Sequence, residues 1–149
     1  MKRQTLAVLA AAASVLLLAP ATRSLAQADP PQSGDTAELA DALSNLIVIT
    51  YACQAIDGPG AYNNAKALVH NVVEQVSDVT AADTFLAETI ANAGSACDDT
   101  KTCWQSLLDD GVAPTAANGK AACTDYTDRA RKKAAELIDR ETSNSSSSS

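Results

Sequence analysis

Apolar residues recur along most of this chain at steps of three and four, the spacing that lines up one face of an α-helix. The first run is Leu39, Ala42, Leu46, Ile49, Cys53 and Ile56. Asp35, followed three residues later by Glu38, is an acidic variant of the capping box and predicts where that helix begins. The two glycines and Pro59 of DGPG, residues 57–60, predict where it ends. A second run, Tyr62, Ala65, Val69, Val72, Val76 and Val79, is rich in valine yet never alternates strictly, so it too predicts a helix. Thr80 and Asp83 offer the next cap, ahead of Phe85, Leu86, Thr89, Ile90 and Ala93, with Gly94 as a left-handed stop.

The stretch CDDTKTCWQSLLDD, residues 97–110, predicts a fourth helix from about Asp98 to Asp110, stopped by Gly111. After a turn at Val112–Pro114, a last helix starts at Thr115 or Ala121 and carries Cys123, Tyr126, Ala130, Ala134, Leu137 and Ile138. No strand signal competes. The expectation is an all-α fold, an up-and-down bundle of four to five helices, with short connections making successive helices antiparallel.

The N-terminus changes the compartment. Lys2 and Arg3 precede an apolar run from Leu6 to Ala19 and then a polar segment ending in small residues, the layout of a secretory signal peptide cleaved after Ala26. That gives a signal peptide over 1–26, a disordered leader over 27–34, a helical domain over 35–141 and a disordered Ser-rich tail over 142–149. The expected destination is the periplasm or the extracellular medium. The apolar run is short for a bilayer, and no cysteine follows the cleavage point, so no stable membrane anchor is expected.

Charge narrows the partners. The chain carries 11 bases and 18 acids, a net −7. Removing Lys2, Arg3 and Arg23 with the signal peptide leaves eight bases and a net −10. Such a chain is repelled by nucleic acid and anionic membranes. The basic run Arg129–Lys133, RARKK, reads as a solvated helix face.

Four cysteines on an exported chain predict two structural disulfides, with no free thiol. The topology selects among three pairings. Cys103 and Cys123 are equidistant from residue 113 in the predicted hairpin, and Cys53 and Cys97 fall at the same end of parallel helices, so Cys53–Cys97 and Cys103–Cys123 are expected. A Cys97–Cys103 bridge across a continuous helix would span a rise of ~9 Å at ~1.5 Å per residue, which a disulfide does not reach. It requires Cys97 to lie in an irregular loop. Zinc spacing and Cys-x-x-Cys redox spacing are both absent.

Few residues remain as a site. His70 sits beside Val69 and Val72 and reads as a structural residue. Asp98 and Asp99 suit a helix N-terminus. Asp109 and Asp110 fall at the C-terminus of the predicted fourth helix, the unfavourable end for an anion, and the EF-hand pattern fails there because its sixth position is Pro114. Trp104, Asp109 and Asp110 are therefore the candidate binding surface. With no nucleophile motif and no phosphate loop, the expected function is non-catalytic binding of a protein, a basic one, of the inhibitor, immunity or accessory kind, without metal or cofactor. The alternative is an acid-stress holdase, loosened when its carboxylates protonate. That alternative fails if suppression of client aggregation does not rise between about pH 7 and pH 3.

Overall fold

The computed structural model describes residues 34–97 and 99–147, and these form an all-α bundle. The signal peptide and most of the leader expected from the sequence lie outside the described residues. No helix among the described residues is long and apolar enough to cross a membrane. The elements are α1 (Gly34–Ala52), the single turn α2 (Gln54–Asp57), α3 (Pro59–Val76), α4 (Val79–Ser95), a short 3-10 helix (Cys103–Leu107) and α5 (Ala116–Ser147).

The start and stop signals act largely as expected, with shifts that have local causes. Gly58 adopts φ +74, which no L side chain takes comfortably, and this redirects the chain so that Pro59 opens α3 as its first residue. The DGPG segment thus ends one helix and starts the next. Asp78 caps α4 by accepting the Ala81 N–H at 2.8 Å, two residues ahead of the expected Thr80. Gly94 is not a left-handed stop: α4 runs through it to Ser95.

α1 is the central helix. Its buried residues, Leu39, Ala42, Leu43, Leu46, Ile47, Ile49, Thr50 and Ala52, cover far more than the one stripe read from the sequence. A helix apolar over most of its circumference is one that packs on several neighbours, and α1 packs on α3, α4 and α5. Against α4 it runs parallel, with the Ser44 and Thr89 hydroxyls 3.5 Å apart and Tyr51 meeting Gly94. Tyr51 and Tyr62 meet edge to face at 5.6 Å between α1 and α3. Burial, and then the neighbouring Tyr51, push the Tyr62 phenol above its usual 10.0. The folded state therefore favours neutral Tyr62, and the stability this gives is intact below pH 10 and falls as pH rises through the higher folded value.

α5 runs antiparallel to α1 over the whole of the shorter helix, α1. Cys53 lies against Cys123 at one end, and at the other Arg140 pairs with Asp35 at 3.6 Å and Lys133 with Glu38 at 3.7 Å. The contact stripe of α5 is Gly119, Cys123, Thr127, Ala130, Ala134 and Leu137, mostly small residues at steps of three and four. The Thr127 hydroxyl is buried in that stripe with no hydrogen-bond partner. α5 also continues to Ser147, past residue 142 where a disordered tail was expected.

The fourth predicted helix does not form. Residues 96–97 and 99–115 are turns and irregular backbone around one 3-10 helix, and among the described residues their backbone hydrogen bonds are all local. Trp104, Leu107 and Leu108 are the only large apolar residues there before Gly111, too few to bury a full amphipathic face. This loss changes the disulfides. The bonds are Cys53–Cys123 and Cys97–Cys103, in place of the expected Cys53–Cys97 and Cys103–Cys123. Without a helix over 98–110 there is no hairpin to set Cys103 opposite Cys123, and the bent backbone brings Cys97 and Cys103 to a Cα separation of 5.4 Å. All four cysteines are bonded, as expected.

Candidate functional site

The structure separates the three residues expected to share a binding surface. Trp104 is buried, 7% exposed. Its indole Nε1–H donates to the Lys101 carbonyl at 2.9 Å, and its ring lies on Gly119 of α5, so close that a Cβ there would come within 2.6 Å of the ring. Ile56 of α2 closes the same spot. Trp104 is therefore not part of an exposed binding surface: the 3-10 turn points the side chain inward, onto α5 and α2. Trp104 is an anchor for the segment around it.

Asp109 and Asp110 are exposed, and their placement acquires a reason. They do not end an α-helix. Asp109 opens a turn closed by the Val112 N–H donating to its carbonyl at 3.0 Å, with Gly111 at φ +84 inside it. Aspartate at the first position of such a turn is ordinary. Asp98 lies outside the described residues. Asp99 accepts the Lys101 N–H at 2.9 Å and so organises a local turn rather than a helix start.

Asp109 nevertheless borders a concavity of mixed apolar, aromatic and charged lining. Leu107, Leu108 and Val112 form one wall of an open groove of ≈ 450 Å³, and Ala121, Ala122 and Tyr126 of α5 form the other. Val112 is 41% exposed, which is high for a valine with apolar neighbours to pack on. The groove is rimmed by Asp109 and Asp125. Arg129 pairs with Asp125 and lays its guanidinium over the Tyr126 ring, 4.5 Å from the centroid. Those two contacts leave the Asp109 carboxylate as the rim charge without a cation beside it among the described residues.

Local chemistry holds the groove open. Thr115 caps α5 by accepting the Asn118 N–H at 3.2 Å, and the Asn118 amide donates to the Ala113 carbonyl at 2.9 Å. Thr at this capping position is a common start signal. Lys120 and Asp57 pair at 3.0 Å and tie the same end of α5 to α2. Sequence reasoning missed Tyr126 and Arg129 as a unit. Their spacing of three on one helix, with Asp125 four before Arg129, is the signal that would have found them.

The other candidates are accounted for elsewhere. His70 places one ring nitrogen 3.2 Å from Asp83 of α4 and the other 3.6 Å from Glu74, clasping α3 to α4 as the structural residue expected. In the RARKK run, Arg129 and Lys133 are committed to Asp125 and Glu38. A larger cavity, ≈ 560 Å³, opens where α3 and α5 diverge beside Leu39, Val72, Val76 and Ile138. Its lining is mixed, with Gln75, Thr142 and Ser146 beside a Thr36 hydroxyl that donates to Glu141 at 3.3 Å. Cys53, Cys123 and Asp57 place ligand-type atoms within 4.8 Å of one another, but both sulfurs are spent in a disulfide.

Comparison with protein-family models, with curated proteins and with solved structures finds no match to this chain.

Proposed function

We propose that this protein is a non-catalytic, disulfide-stapled module that binds another protein through the groove between Leu107–Val112 and α5. The observation that carries the reading is the conjunction of an apolar wall, exposed at Val112 and half-buried at Leu108, with an uncompensated Asp109 on its rim. A surface of that kind suits an amphipathic helix or loop whose apolar side chains enter the groove and whose Lys or Arg meets Asp109 and the adjacent Asp110. Acidic rims speed encounter with basic partners, and buried apolar anchors supply the affinity.

The test places a photo-crosslinking amino acid at Val112 and, in a second protein, at exposed Ala67 on α3, then irradiates each in cell extract. A protein adduct formed from position 112 and absent from 67 is the expected result. Asp109→Asn with Asp110→Asn should weaken that adduct several-fold and reduce its sensitivity to salt. Equal adducts from both positions, or none from 112, would remove the groove from consideration.

A further inference from the structure

We infer that Cys97–Cys103 is a thiol-exchange site, reduced by dithiols while Cys53–Cys123 stays intact, and that its opening releases the segment bearing Trp104. The two bonds differ in access. Cys53 and Cys123 are 1% and 0% exposed, and the Asp57 carboxylate, held by Lys120, lies beside them. Cys97 is half-buried, sits past the end of α4 and lines an open cleft of ≈ 230 Å³ with Ala96, Asp99, Thr102 and Ser106. Exchange requires a thiolate to reach a sulfur along the S–S axis, so access decides which bond reacts.

The step balances with an external dithiol as reductant. One thiolate of the dithiol attacks Cys97 Sγ, the S–S bond breaks, and Cys103 leaves as a thiolate that takes up a proton. The second thiol of the reductant then displaces Cys97 from the mixed disulfide. Two electrons pass to the protein, which gains two thiols, and the reductant becomes a disulfide.

The consequence follows from how the segment is held. Among the described residues its backbone hydrogen bonds are local, so its attachments to the bundle are the Cys97–Cys103 link to the end of α4 and side chains such as Trp104 on Gly119 and Ile56. Cutting the covalent tie leaves Trp104 and the groove wall held to the bundle by side-chain packing, with the Trp104 ring against Gly119 of α5 and Ile56 of α2. Exchange at Cys97 stands whether or not the groove has a partner; only its control of binding rests on the function proposed above.

The experiment titrates the full chain with dithiothreitol, quenches with iodoacetamide, and maps alkylated cysteines by mass spectrometry. Cys97 and Cys103 should label at reductant concentrations roughly tenfold below those that label Cys53 and Cys123. Far-UV circular dichroism should stay unchanged in that window, while the emission of Trp104, the only tryptophan, shifts. Simultaneous labelling of all four, earlier labelling of Cys53 and Cys123, or an unaltered Trp104 emission in the half-reduced protein would overturn the inference. A Cys97→Ser, Cys103→Ser protein should reproduce the half-reduced emission, and a mismatch would count equally against it. Crosslinking from position 112 is measured on the oxidised protein, so failure of the groove and failure of the exchange are read separately.

Discussion

The seam between α1 and α5 and the segment from Ala96 to Thr115 are each closed by one disulfide, and almost nothing else about them is alike. The seam is a long stripe of small residues meeting a helix that is apolar on most sides, with ion pairs at one end and Cys53–Cys123 at the other. The segment has local turns, one buried ring and a six-residue covalent loop. The seam distributes its stability over many modest contacts. The segment concentrates its own in Trp104.

Loop entropy makes the difference measurable. A closed loop of 70 residues removes about 4 kcal/mol of unfolded-state freedom and one of six about 2 kcal/mol. Replacing Cys53 and Cys123 by alanine should therefore cost about twice as much, by urea denaturation, as replacing Cys97 and Cys103. Equal losses would mean that the two regions are not held in the way described. A smaller effect is expected at the junction of the two regions. Gly119→Ala pushes a methyl against the Trp104 ring, and overpacking of this kind costs about 1–3 kcal/mol. Its signature should be a change in Trp104 emission larger than any change in helicity. The smallest effect lies within the seam: Thr127→Val removes a buried hydroxyl that has no partner, and should raise stability by about 1 kcal/mol. A loss there would show that the hydroxyl is satisfied in solution.

The same contrast explains what the sequence discloses. Helices α1, α3, α4 and α5 are legible because each carries an apolar stripe long enough to repeat, as at Tyr62, Ala65, Val69 and Val72. A stripe states that a face is buried and not what it is buried against. The hairpin inferred for Cys103 and Cys123 paired neighbours in sequence, whereas α5 returns to α1. The residues of α1 beyond the expected stripe, Leu43, Ile47 and Thr50, mark the additional neighbours. Residues 98–110 were misread because Trp104, Leu107 and Leu108 satisfy a helical spacing for a single turn, and one turn is equally compatible with a 3-10 helix. Of the candidate surface, Asp109 and Asp110 stood out for their place at the end of a helix that does not form, and Trp104 was not legible as an interior residue. Its burial depends on Gly119, fifteen positions away.

The antiparallel register of α1 and α5 also sets a mechanical order. The chain enters α1 at Gly34 and leaves α5 at Ser147 on the same side of the seam, so tension applied at those two points loads it as a zipper. The Arg140 and Lys133 ion pairs open first, each a weak exposed contact, and the small-residue stripe parts turn by turn. At Cys53–Cys123 the opening meets a covalent stop. Everything between those cysteines, including the Leu107–Val112 wall of the groove and the exchangeable bond, lies behind it and is shielded from the pull.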